Sequence, residues 1–337
     1  MTLCLTHIYG GVLPCPWPDC AEGAADAAFE FNGTRVWRQR FGEVFGEPTY
    51  AWIIDGVTAA YVAAQFTRRA MAQVNGAHSV ADDGFMYHFT DETGLRGILA
   101  SGELWLTDYR DLRDEQEIRD GQQVAKATFD ALRPDLQRET NSLLDTLLAA
   151  PLPSGVYVSC FCVMRASSYH WSEFAADSSG AVLEMDPLGF EQLLACDPFA
   201  IQFTRVAYIW DVKAGLFAHL ATWLEELVSF DLARGLFARD IYLREMTQIF
   251  GELLPMCKDV SLFREREIRV IVTPAQSKTD LASKLAVRQT NERRYITTRD
   301  VLPSFALPIK SVLLGPKFTG DISKLAIDGL KVPKFVA

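Results

Sequence analysis

In the run Arg264-Glu265-Arg266-Glu267-Ile268-Arg269-Val270-Ile271-Val272, charged residues lead into an apolar strand. Successive strand side chains point to opposite faces. Glu265, Glu267 and Arg269 are therefore expected on one face, and Arg266, Ile268 and Val270 on the other. Alternating charge commonly protects an edge strand from aggregation. A carboxylate carried into an apolar strand can also be an active-site group, paired and positioned by the sheet.

Two further segments hold residues able to do chemistry. Met86-Tyr87-His88-Phe89-Thr90 ends beside a helix start capped by Thr90 or Asp91. An imidazole there would sit at a helix N-terminus, which suits a ligand carrying phosphate or ribose hydroxyls. Gly155-Val156-Tyr157-Val158-Ser159-Cys160-Phe161 is followed by Ser167-Ser168-Tyr169-His170-Trp171. An apolar strand with aromatics is ordinary core, but Ser, Ser, Tyr, His and Trp together suit a pocket wall that stacks a flat heterocycle. Ser159 with a histidine would suggest acyl transfer, yet no Gly stands two residues before and after it, as a nucleophile elbow requires.

Metal chemistry has two sets of candidates. Cys4, His7, Cys15 and Cys20 have the spacing of chelating pairs for a structural zinc, although free thiols in an irregular terminus give the same text. Asp114 and Glu117 could hold Mg²⁺ for a hydrolase, or simply open a solvated helix. Cys160 and Cys162 share a strand face and read as packing.

The elements that must position these groups follow from periodicity and turn residues. Short strands are expected at 85–89, 104–107, 156–163, 181–185, 205–210, 268–273, 294–297 and 311–314. A helix is expected at 91–101, ended by Gly102. A charged helix is expected over 114–148, stopped by Pro151 and Pro153, and a helical insertion over about 212–257. Residues 1–80 form an accessory region with a helix near 57–73, and a polar linker at 74–84 leads into a domain over 81–337. Strands interrupted by helices without regular βαβ alternation define an α+β class.

Bulk properties narrow the function. The chain of 337 residues is 49% hydrophobic and 23% charged, enough for a substantial core. No run approaches the ~18 apolar residues of a membrane helix, and Met1 to Gly11 does not read as a secretory signal. Seven cysteines, an odd number without framework spacing, fit a reducing cytoplasm. The net charge of −10 argues against a general nucleic-acid or membrane coat. Residues 258–337, however, carry 15 Lys and Arg against 8 Asp and Glu. That local excess keeps a polyanionic partner in play.

Taken in order, YHFT, GLRGILASGELWLTD, RDEQE, YVSCF, SYHWSEFA, FREREIRVI and LPIKSVLLGPK resemble the bacterial family called domain of unknown function 2971, over about Phe85 to Lys317. That family's Asn-Asp-Pro turn is Arg113-Asp114-Glu115 in this chain. A more distant resemblance is to ADP-ribosyltransferases of the His-Tyr-Glu type. It rests on His88, Thr90, Ile98, Leu99, Gly102 and Leu104, then Gly155, Val156, Tyr157, Val158, Ser168 and Tyr169, then Glu267. It implies a split β-sheet core with helical insertions and NAD as substrate. His88, with Thr90, would hold the adenosine-side ribose. Tyr157 and Tyr169 (or Trp171) would sandwich nicotinamide, with Ser159 and Arg269 in the same pocket. Glu267 would bond the nicotinamide-ribose 2′-hydroxyl.

The expectation is an NAD-dependent transferase, a toxin or defence effector that modifies nucleic acid or protein, with a neutralising protein as a candidate partner. The alternatives are a non-catalytic NAD- or nucleotide-binding sensor and a metal-dependent hydrolase.

Overall fold

The computed structural model describes residues 84–112, 115–152, 154–165, 167–190, 193, 199–274, 285–290 and 293–320, with the backbone of three strands between 28 and 54. The expected helix at 57–73, Asp114, the Glu117 side chain and the four zinc candidates Cys4, His7, Cys15 and Cys20 lie outside these residues. The chain divides into two compact units. One draws on 1–73, 119–153 and 209–257, the other on 74–118, 154–208 and 258–337. The expected insertion thus groups with the N-terminal region and with a second helical stretch.

The first unit contains an antiparallel meander of β1 (Ala28–Phe31), β2 (Thr34–Val44) and β3 (Glu47–Ile54). Its helices bury apolar faces on one another. The expected helix over 114–148 is two helices, α2 (Glu115–Leu132) and α3 (Arg138–Ala149). Pro134 lies in the short 3-10 turn between them, because proline cannot supply the amide hydrogen that a continuous helix needs there. Two helices follow from the insertion, α5 (Trp210–Ala233) and α6 (Arg239–Leu253). Lys213 on α5, 3% exposed, pairs with Asp120 at 2.7 Å, and the Tyr242 hydroxyl donates to Asp231 at 2.6 Å.

The second unit is a mixed helix and antiparallel-sheet body, so the class is α+β. Its elements are β4 (Met86–Thr90), α1 (Glu92–Ser101), β5 (Trp105–Asp108), β6 (Tyr157–Cys162), α4 (Ser168–Glu173), β7 (Ala181–Met185), β8 (Phe199–Arg205), β9 (Glu267–Pro274), β10 (Arg288–Gln289), β11 (Arg294–Thr297), α7 (Thr298–Val301) and β12 (Ile309–Leu314). The strand expected at 205–210 ends where it was expected to begin, since Trp210 already opens a helix.

The sheet divides at β6. One edge of β6 pairs along its length with β9, and β9 pairs with β8. The other edge takes β5 at Tyr157 and Val158, and β4 only at Cys162, opposite Tyr87. Beyond β5 lie β11 and β10, while β4 continues into a three-stranded branch with β7 and β12. The segment Ser159 to Phe161 is left between the two branches.

Register fixes which side chains meet. Tyr157, Ser159 and Phe161 lie opposite Val272, Val270 and Ile268, and apart from Ser159 they join one apolar cluster with Leu95, Leu106 and Leu183. The other face carries Cys160 and Cys162 opposite Arg269 and Glu267. Asp91 caps α1 by accepting from the Gly94 amide at 2.6 Å, and Gly102 closes it in the left-handed region at φ 66°. Gly180 permits a close approach of chains: a Cβ there would stand 2.1 Å from the Thr90 carbonyl oxygen.

Candidate functional site

Glu267 is the first residue of β9, and it is 6% exposed. Its amide donates to the Tyr208 hydroxyl at 3.0 Å, and its carbonyl accepts from the Val206 amide at 3.0 Å. Arg269, 1% exposed and two residues along the same face, forks the carboxylate: Nε to Oε1 at 2.8 Å and Nη2 to Oε2 at 2.9 Å. Lys258 Nζ donates to Oε2 at 3.0 Å. Burial alone would raise this carboxyl, but Arg269 and Lys258 outweigh it and hold Glu267 well below the usual carboxylate range, helped by the Cys160 thiol.

Glu265 is not part of the strand. It closes a 3-10 turn over Val260–Glu265, and Arg266 follows with φ 42° and ψ 49°. The left-handed residue ends the turn and starts β9, so Glu265 and Glu267 are brought to one cation by the turn rather than by strand alternation. Lys258 Nζ donates to Glu265 Oε2, and the Tyr169 hydroxyl stands 3.4 Å from Oε1. Four buried charges, two of each sign, therefore sit together, an arrangement whose desolvation cost is offset only while every partner is in place.

Helix α4 supplies the flanking aromatics. Ser167 caps it by accepting from the His170 amide at 3.3 Å. His170 Nε2 donates to the Glu265 carbonyl at 2.8 Å, and its buried Nδ1 has no hydrogen-bond partner among the described residues. Burial lowers the His170 imidazole from its ordinary value. Trp171 packs edge-on against Phe89, with centroids 5.2 Å apart.

His88 lies at the division of the sheet. Its Nδ1 is 2.9 Å from the Cys160 carbonyl oxygen, and its ring is 5.6 Å from that of Phe161. Thr90, half-buried at the end of β4, abuts the first turn of α1: a Cβ on Gly94 would stand 2.1 Å from its hydroxyl oxygen. Tyr157 and Ser159 take the opposite sheet face from Glu267 and Arg269. Burial raises the Tyr157 phenol, and the neighbouring Asp108 adds to the effect.

The residues read from sequence thus separate into two groups. Tyr169, Glu267 and Arg269 converge, with Trp171 on the same short helix as Tyr169. Tyr157 and Ser159 stand across the sheet, and His88, opposite Leu183 in register and with its ring against Phe161, is on their side of it. Sequence reasoning missed Lys258 and Tyr208, which no local motif marks. It also missed a partly exposed cluster at the end of β5. There Arg110 forks Asp108 at 2.9 and 2.6 Å, and Arg294 grips Asp111 through its amide, Nε and Nη2 at 2.8, 2.7 and 2.7 Å.

Among the described residues, no group of three or more His, Cys, Asp or Glu could hold a metal ion. No described helix is long and apolar enough to cross a membrane. No protein family, curated protein or solved structure matches the chain.

Proposed function

We propose that the chain is an NAD-dependent ADP-ribosyltransferase with an ADP-ribosyltransferase-like split core. The observation that carries this reading is the side-by-side order β4, β6, β9. His88 on β4 bonds the Cys160 carbonyl of β6, Cys160 lies opposite Arg269 on β9, and Arg269 forks Glu267. Three segments far apart in sequence meet at the division of one sheet, His88 from one face and Glu267 from the other. The segments read from sequence as resembling domain of unknown function 2971 lie on the same strands.

Each residue then has a task. Glu267, kept ionised, stabilises the positive charge that develops on the ribose as the bond to nicotinamide breaks. The bonding pair leaves with nicotinamide. An acceptor nucleophile on a nucleic acid or protein then gives its own pair to the same carbon and releases its proton. Tyr169 and Trp171 offer aromatic surface to the leaving ring. His88 has one nitrogen committed to a carbonyl and presents the other to a ribose hydroxyl. Residues 258–337, with their basic excess, favour a polyanionic acceptor.

One observation favours a second reading. Both oxygens of Glu267 already hold cations, as suits a module that binds NAD or a related nucleotide without turning it over. Purified protein with NAD, assayed for nicotinamide release beside Glu267→Gln, separates the two. The transferase releases nicotinamide and the variant does not. Binding without release in the native protein, with acceptor fractions supplied, would leave the sensor.

A further inference from the structure

Lys258 stands between two carboxylates that are two residues apart. Its Nζ donates to Glu267 Oε2 at 3.0 Å and, in a shorter contact, to Glu265 Oε2. The three side chains are 5%, 7% and 10% exposed for Lys258, Glu267 and Glu265, so water does little to shield them from one another. The Lys258 amide donates to the Ala207 carbonyl at 3.1 Å, which fixes where the side chain starts.

We infer that Lys258 is a positioning residue of the proposed site: it is the shared counter-ion that couples Glu265 to Glu267 and keeps the Glu267 carboxylate ionised and aimed. The role in turnover rests on the transferase reading, whereas the charge coupling does not. Two carboxylates so close cannot both stay ionised without a cation near both. The other titratable and charged groups facing the pair are Tyr169 and His170 on α4, Cys160 and Cys162 on β6, Tyr208, and Arg269 on β9, with the exposed Glu173 acting on Tyr169. Tyr169 and Tyr208 are raised by burial, and His170 is lowered by it, so none of these three is charged near neutral pH. Arg269 forks Glu267, while Lys258 bonds both carboxylates.

The test follows the carboxyl carbons of Glu265 and Glu267 by NMR in ¹³C-glutamate-labelled full-length protein, assigned through Glu265→Gln and Glu267→Gln. Lys258→Met is expected to raise the midpoint of the Glu267 titration by about one pH unit or more, and Lys258→Arg to restore most of it. A variant with Lys258→Met and Glu265→Gln together removes one charge of each sign. It is expected to fold even if the single variant does not, and to reverse at least half of the rise. In the transferase, the acid limb of nicotinamide release moves with the midpoint in each variant. An unchanged midpoint in Lys258→Met overturns the inference, and so does a rise that Glu265→Gln fails to reverse. If the native protein releases no nicotinamide, the transferase reading falls, and the titration still decides the coupling.

Discussion

The His88 imidazole lies 2.9 Å, through Nδ1, from the backbone carbonyl of Cys160. A carbonyl oxygen only accepts, so Nδ1 carries the hydrogen and Nε2 is the acceptor of a neutral ring. This bond occupies a β6 carbonyl on the edge where β4 and β5 diverge. An unmade hydrogen bond there would be costly. The same contact that closes the sheet therefore sets the tautomer that a ribose hydroxyl would meet.

Stability is expected to fall as pH drops from 7 towards 5. Burial lowers His88 from 6.5 in the folded chain. Below pH 6.5 the unfolded chain takes up a proton that the folded chain refuses, so stability declines until pH passes the lower folded value and then levels off. His88→Gln, which can still donate to the carbonyl, should make that loss smaller. His170 and His219, lowered in the same direction, contribute to the same decline. Urea midpoints at several pH values check this, and equal slopes in the two proteins would contradict it.

Glu267→Gln is expected to cut nicotinamide release at least ~100-fold while NAD still binds. The variant should also lose about 3 kcal/mol of stability, because Arg269 and Lys258 keep their buried charges with one counter-charge fewer. In acid the sign is that of a depressed carboxyl. Glu267 contributes fully above the unfolded value of 4.5, and the contribution is lost as pH falls through the lower folded value. Thermal melts at pH 7 and below 4 should therefore converge for the two proteins in acid. Calorimetric titration with NAD tests whether binding survives.

Much of this arrangement is readable in the amino-acid sequence. The strands carrying His88, Ser159 and Glu267 announce themselves as apolar runs bounded by turns, and they fall within about a residue of expectation. The N-terminal meander was not foreseen, because Trp37, Phe41 and Tyr50 sit among charges that blur a period of two. The break at Pro134 was available in the sequence and yields to the simplest helix rule. Lys258 could not be read. Its partnership with Glu265 and Glu267 depends on a 3-10 turn and on one left-handed residue, and neither leaves a periodic trace.

The Asp111–Arg294 grip ties the turn after β5 to the start of β11. Asp111 accepts three hydrogen bonds from one residue, and their pull on the carboxylate exceeds burial and lowers it from its ordinary value. Asp111→Ala should cost about 2 kcal/mol, the range of hydrogen bonds to charged groups. Arg294→Lys should recover little, since an ammonium cannot form the fork. Lys126→Ala breaks an exposed pair with Asp130 and serves as the control, with little or no cost to stability. Urea denaturation of the three variants ranks them, and equal effects for Asp111→Ala and Lys126→Ala would refute the assignment.

Arg266 places Glu265 and Glu267 around one ammonium through its backbone, at φ 42° and ψ 49°, and its side chain is exposed. For a residue with a Cβ, the left-handed region costs roughly 1–2 kcal/mol. Glycine escapes that cost but loses roughly 0.5–1 kcal/mol through the freedom it has when unfolded. Arg266→Gly is therefore expected to be neutral or stabilising by up to about 1 kcal/mol. Arg266→Val should be destabilising by more than about 1 kcal/mol, because a β-branched side chain fits this region worst. Nicotinamide release should survive in the glycine variant and fall in the valine variant, where Glu265 and Glu267 no longer close together on Lys258. Urea midpoints measured with release rates decide it. Equal losses in both variants would mean that the arginine side chain, and not its backbone, holds the two carboxylates together.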